Sequence, residues 1–338
     1  MGSEMCIRDS LYALKNAEAI NQGELPTSAL GVTASDDYTL IVILERPIGY
    51  FIKLTAFTTY YPVRRDFYES RGTRYAADAK DLIYNGAFTI SEWVHSASLK
   101  MAKNPHYWDK NSITLNAINI DYITADSRAH LNLFIERKIA HPGLHAETYK
   151  DALTQKLRIN SFSTGSIFFL EYNHRPGRAT SNINIRKAIQ HVFDPAEMVN
   201  RVLATPGNLP GKSLFPVWVK GVSVRFRDEY PPPTATIDLN KAKQYLSDAR
   251  AELKDIPPLV LLVSDSPIAS KQAEYVQGLL LSKLGLKIVV DKQTFKQRLA
   301  KMSSGDFDIV GAGWGPDFDD VMTFGDLFAS WNLNNRGR

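Results

Sequence analysis

With 338 residues the chain exceeds one ordinary domain and is long enough for about two. Its hydrophobic share of 44% and charged share of 22% are those of a globular protein. The net charge of +4, from 40 basic and 36 acidic residues without a concentrated basic block, excludes a nucleic-acid surface. No apolar run reaches the ~18 residues that a membrane span needs, and the single cysteine, Cys6, excludes a disulfide framework and a cysteine nucleophile in the body of the chain.

Residues 1–10 (MGSEMCIRDS) contain no apolar leader core and join no periodic pattern, so they read as a scar foreign to the fold. Leu11–Ile20 has the spacing of a helix end, and Leu30–Ala34 with Tyr38–Leu44 around Ser35-Asp36-Asp37 reads as a hairpin. Tyr50–Phe57 has helical spacing, and Tyr60–Val63 is an extended exit. Asn85–Val94 reads as a turn into a strand, Ser98–Lys103 as its partner, and Asn104–Asp109 as an aromatic turn. Ala117–Ile123 alternates as a strand, and Ser127–Arg137 is an amphipathic helix with Leu131, Phe134 and Ile135 inward. Leu157–Ser161 and Ile167–Tyr172 are predicted strands. A polar loop from His174 to Asn184 then changes the character of the chain, and a boundary is drawn near 175.

Beyond it, helices are expected over Ile185–Phe193 and Ala196–Leu203, with Asp194 as N-cap and Pro195 in the first turn. Pro206–Pro233 is proline-rich and irregular. Leu239–Ala249 (capped by Asp238), Ser270–Leu284 and Phe295–Met302 read as helices. The runs Leu259–Val263, Leu286–Val290 and Phe307–Ala312 read as strands among them. That alternation predicts an α/β lobe with at least partly parallel strands. At the other end Asn332–Arg338 stops in a loop, so a fragment lacking both ends is expected.

The last predicted strand runs into Gly313-Trp314-Gly315-Pro316 and then Asp317, Asp319 and Asp320. A Gly-Pro break sets these acids in a loop at the strand's carboxyl end, where α/β sheets take ligands. An aromatic wall beside an acid suits an ammonium group. Equally, the three acids could form a solvated turn and Trp314 a core residue, and Asp319 or Asp320 could take the role in place of Asp317. Asp306 and Asp308, flanking Phe307, are expected to face solvent or to cap the preceding turn. No P-loop, dinucleotide glycine motif, HExxH or GxSxG occurs, which leaves a carboxylate-dependent hydrolase as the remaining enzymatic alternative.

Five segments, read in order, resemble the extracellular solute-binding proteins of family 5, the peptide-, dipeptide- and nickel-binding receptors of ABC importers. They are Leu30–Leu40 with Leu44-Glu45-Arg46-Pro47; Asn85–Ile90 with Trp93; Asn104-Pro105-His106-Tyr107-Trp108-Asp109; Ile185–Ile189 with Phe193-Asp194; and Gly305–Asp308 with Gly313-Trp314 and Asp317. The resemblance implies a two-lobed periplasmic-binding-protein-like (type II) α/β fold with mixed sheets and an incomplete lobe I. Its parts would be a small β-rich subdomain over 11–62, lobe I over 63–172 and lobe II over 173–338, with crossing strands near Ser166–Asn173.

The same resemblance implies a non-enzymatic receptor that clamps a peptide between two lobes, with the α-ammonium on Asp317. The ligand-binding residues it implies are Asp317, Trp314, Gly313, Gly315, Phe318 and Phe169; Phe168 and Tyr172 share the crossing strands, where hinge packing is the competing role. It implies a monomer with no cofactor, metal or nucleic acid, delivering to a membrane-embedded ABC permease from the periplasm or as a cell-surface lipoprotein. Where peptide receptors carry a basic residue two places before Gly-Trp this chain has Gly311, and no nearby cation (Lys271, Lys292, Lys296, Arg298) can be assigned from sequence. A nickel-type receptor would need converging histidines, yet the seven present are scattered, and Pro142-Gly143 breaks the spacing of His141 and His145.

Overall fold

The computed structural model of the chain describes residues 10–124, 126–233, 236–330, 332 and 335–338. Residues 1–9, which hold Cys6 and nearly all of the segment read as a scar, lie outside them, as do parts of the final loop. Two compact units divide the chain: residues up to Tyr61 together with Asn160–Arg338, and Pro62–Ile159.

In the first unit Val32–Asp36 (β1) and Thr39–Val42 (β2) pair as the expected hairpin, Val32 opposite Val42. The Asp36 carboxylate accepts the Tyr38 N–H at 2.8 Å, which closes the turn locally. The helix expected over Leu11–Ile20 is reduced to Ala17–Asn21. Strand-like bonds take the backbone before it: Leu14 bridges Leu44, and Lys15 donates to Ile43 O at 3.0 Å and accepts from Gly31 N. Gly31 is required there, since a Cβ would lie 2.7 Å from Lys15 Cβ and 2.9 Å from Ile43 O.

The second unit is a meander of Phe88–Val94 (β3), Ser98–Lys103 (β4) and Ala117–Ile120 (β5), antiparallel throughout. Buried Asn104 ties it together, donating to Gly86 O at 2.8 Å and accepting from His106 N at 2.9 Å, so that segment sets turn geometry. The helix Ser127–Ile135 starts on Asp126, which accepts from Arg128 N. Leu131 is buried as expected, but Ile135 is 40% exposed because the helix ends on it. A helix over Ala146–Thr154 went unpredicted; its buried residues are Thr148 and Ala152, which give no apolar stripe. Leu157–Ser161 is not a strand, since the Leu157 N–H turns back to Ala152 O at 3.0 Å and closes that helix.

The rest of the first unit is built on a four-stranded sheet, ordered β6-β9-β7-β8, from Ile167–Tyr172 (β6), Leu259–Ser264 (β7), Ile288–Gln293 (β8) and Ile309–Trp314 (β9). β7 is parallel to β8 and β9, whereas β6 runs antiparallel to β9, so the sheet is mixed as expected. Alternate residues serve opposite layers, as strand pleating dictates. Leu259, Leu261, Val263 and Ile309 pack with the helices Ile183–Gln190, Leu239–Leu253 and Pro267–Leu284, whereas Leu262 and Val310 pack with Phe307 and with Met302 of the helix Phe295–Ser304. The caps behave as read: Asp194 accepts from Ala196 N, with Pro195 at the first helical position, and Asp238 accepts from Asn240 and Lys241 N.

One acid departs from expectation. Asp306 is exposed and pairs with Arg178 and Lys301, but Asp308 is only 6% exposed. The reason is a ladder vacancy at the start of β7, where Asp308 Oδ2 accepts the Val260 N–H at 2.8 Å. Asp308→Ala strands that donor and should lower stability by about 1–3 kcal/mol, as measured by urea unfolding; an unchanged midpoint would show that water replaces the bond.

Candidate functional site

β9 delivers the site. It pairs with β6 through Gly313 opposite Phe168 and Trp314 opposite Ile167, then leaves the sheet at Gly315-Pro316. A Cβ on Gly313 would sit 2.6 Å from the Phe168 ring, so the glycine lets that ring lie across the strand, where it is 78% exposed. At Gly315 the neighbour is Ser166 Oγ, 3.5 Å from a Cβ position. Trp314 is half buried, and its indole N–H is buried with no acceptor among the described residues.

The three acids of the turn separate cleanly by environment. Asp319 is held by Lys53 at 3.1 Å, with both side chains largely exposed. Asp320 Oδ1 accepts the Met322 N–H at 3.0 Å, just before the short helix Met322–Gly325. Asp317 is half buried; its backbone N–H donates to buried Thr323 Oγ1 at 3.0 Å, yet its carboxylate has no partner among the described residues. Burial alone pushes the Asp317 carboxyl up to about 6, with no cation opposing it. Only Asp317 lacks compensation.

The aromatic residues divide. Phe318 stacks on Tyr50 at 4.6 Å with ring planes 10° apart. Phe169 meets Phe328 edge-on at 5.2 Å, and Tyr172 packs on the sheet core. Gly313 therefore carries the exposed Phe168 ring, and Trp314, Gly315 and Asp317 follow it in the chain, while Phe169 and Phe318 are engaged by neighbouring rings. Asp326 had no sequence signal; its Oδ1 is buried and unpartnered, and burial raises its carboxyl against the opposing pull of Arg46. A lone acid in an apolar stretch has no motif, so only packing reveals it.

Two of the histidines are engaged by neighbouring rings, His95 by Trp93 and His191 by Tyr245. Among the described residues no three His, Cys, Asp or Glu side chains are placed to hold a metal ion, and no helix is long and apolar enough to cross a membrane. A depression of about 360 Å³ in the first unit is lined by Lys243, Arg250 and Lys283, and one of about 380 Å³ in the second by Arg128 and Asp151.

The mixed α/β fold has counterparts among solved structures. The solved Listeria monocytogenes OppA bound to peptide superposes with a TM-score of 0.83 at 29% identity, covering 96% of this chain and 65% of that one. The periplasmic-binding-protein-like fold expected from the sequence is thereby borne out.

The chain belongs to the bacterial extracellular solute-binding proteins, family 5, whose description matches residues 2–335. Its curated relatives include the oligopeptide-binding protein OppA of Bacillus subtilis (strain 168), 29% identical over 335 residues, and the periplasmic murein peptide-binding protein MppA of Escherichia coli (strain K12), 28% identical over 338. These matches cover 96% and 97% of this chain. The chain spans 60% of the length of each of these relatives.

Proposed function

We propose that the chain is part of the extracytoplasmic substrate-binding component of an ABC importer. It captures peptides between two lobes, with the ligand's α-ammonium on Asp317. The observation that carries this reading is the single uncompensated carboxylate of the turn, half buried three residues after Trp314, with burial alone holding it near pKa 6. An ammonium group supplies the missing charge and three donors. The exposed Phe168 ring over Gly313 offers an apolar platform for ligand side chains. The relatives' names, oligopeptide-binding and murein peptide-binding, favour the same ligand class.

In this reading the protein is a monomeric receptor in the periplasm or on the cell surface. It performs no chemistry and hands its ligand to a membrane-embedded permease. Binding favours a closed state because only closure completes the contacts. Native mass spectrometry of protein purified without denaturation should show peptide adducts that acid releases unchanged. An empty protein that also ignores added free-amine peptides, or one that consumes its ligand, would overturn the assignment.

A further inference from the structure

The depression of about 360 Å³ in the first unit carries positive charge with no acid to match it. Its charged lining is Lys243, Arg250 and Lys283; Ser247 adds a hydroxyl, and buried Leu246 and Leu284 give an apolar floor. Lys243, Ser247 and Arg250 recur at the four- and three-residue spacing of one face of the helix Leu239–Leu253. Lys283 comes from the last turn of the helix Pro267–Leu284, whose Leu284 shares a core cluster with Leu246. The first helix leads to β7 and the second to β8, so their last turns set Arg250 and Lys283 toward the amino ends of these parallel strands. Asp317 instead follows the carboxyl end of β9, which runs parallel to β7. The basic depression is therefore separate from the peptide site proposed above.

Helix-end electrostatics accounts for only part of this charge. Arg250 and Lys283 lie in last turns, where the helix dipole favours a cation by about 0.3–1 kcal/mol. Lys243 lies nearer the amino end of its helix, where the dipole gives no such support. None of the three side chains has an ion pair or hydrogen bond among the described residues, and neither has the Ser247 hydroxyl. The acids of the same helix are engaged elsewhere: Asp248 accepts from Gln244 at 2.9 Å, and Glu252 accepts from Asn182 and Asn184 at 2.6 and 3.0 Å. Three like charges around one hollow repel one another and raise the local potential for an anion.

We propose that this depression binds the phosphate group of an organic phosphate ester. The inference goes beyond the peptide reading and does not rest on it. Phosphate oxygens point to the corners of a tetrahedron, so one group can take the Arg250 fork, two ammonium groups and the Ser247 hydroxyl from different directions. A carboxylate, with two oxygens in one plane, leaves part of that set unmatched. A hollow at the lower end of the roughly 300–1,000 Å³ of small-ligand sites suits a compact ester better than the broad acidic face of a protein.

The test uses the full chain in two arms: calorimetry with glycerol phosphate, and co-sedimentation with vesicles of phosphatidylglycerol or of phosphatidylcholine. A soluble ester as ligand gives heat with glycerol phosphate but not with acetate. A lipid headgroup as ligand gives sedimentation with phosphatidylglycerol alone. Either result supports the phosphate site. Arg250→Gln should weaken the binding seen by about 10-fold, and Arg250→Lys, which keeps the helix-end charge, by less. Lys212→Gln makes the same charge change on an exposed side chain outside the depression and should leave binding unchanged. Absence of binding to glycerol phosphate at millimolar concentration together with no preference between the vesicles would overturn the proposal. So would equal losses from Arg250→Gln and Lys212→Gln, which mark diffuse attraction to a basic protein.

Discussion

Asp317→Asn should weaken binding of peptides with a free amino terminus by about 10- to 100-fold and leave N-acetylated peptides nearly unaffected. The asparagine keeps the shape and the backbone bond to Thr323 Oγ1 but removes the charge. The parent protein carries a pH signature that the variant should lose. Its carboxyl, held up at about 6 by burial, must ionise to take an ammonium group, so affinity should rise as pH rises through about 6 and level off above 7. Equal affinity for free and acetylated peptides, or a flat profile between pH 5 and 7, would remove Asp317 from the ligand site.

The same group sets a stability effect of known sign. An aspartate raised from 3.8 to about 6 on folding binds more protons in the native state than in the unfolded state between those values. Stability of the ligand-free protein therefore falls as pH climbs through that window, and the full penalty is present above it. Asp317→Asn should accordingly stabilise the ligand-free protein at pH 7 by about 1–2 kcal/mol, allowing for solvent screening of a half-buried group, and should do little below pH 4. Sites that spend stability on an uncompensated charge are commonly binding sites.

Local chemistry explains why some of this was legible in the sequence. Caps at Asp194 and Asp238, the β3–β4 hairpin and the α/β alternation after residue 239 are each specified within a few residues, and each appears as expected. Elements that depend on distant partners were not legible. Leu11–Ile20 has a helical pattern, but its backbone is claimed by Leu44 and Gly31. Asp308 looks like a surface acid until β7 arrives with an unpaired N–H. In the site, the Gly-Trp-Gly-Pro-Asp run announced a turn with acids, yet sequence could not say which acid was free. Lys53, hundreds of residues away, and the Met322 N–H decide that by occupying Asp319 and Asp320. Arg298 was one of four candidate cations, and only the fold sets it against Gly311.

Phe307→Ala should be the most destabilising single change near the site, costing about 3–5 kcal/mol. Phe307 is fully buried in the smaller layer of the sheet, where among the described residues Leu262, Met302 and Val310 are its buried partners and Leu299 packs against them, so little material can collapse into the cavity. Its backbone is also fixed, because fully buried Asn173 donates to Gly305 O and Phe307 O at 3.0 and 2.8 Å. That layer holds the helix Phe295–Ser304 against β9, and so holds Arg298 over Gly311. The Asp317 turn, anchored on Thr323, should nonetheless keep its sensitivity to N-acetylation. Urea unfolding together with calorimetry on free and N-acetylated peptides measures both effects. A loss below about 1 kcal/mol would mean that the cavity collapses around the missing ring, and lost sensitivity to N-acetylation would mean that the small layer also positions the Asp317 turn.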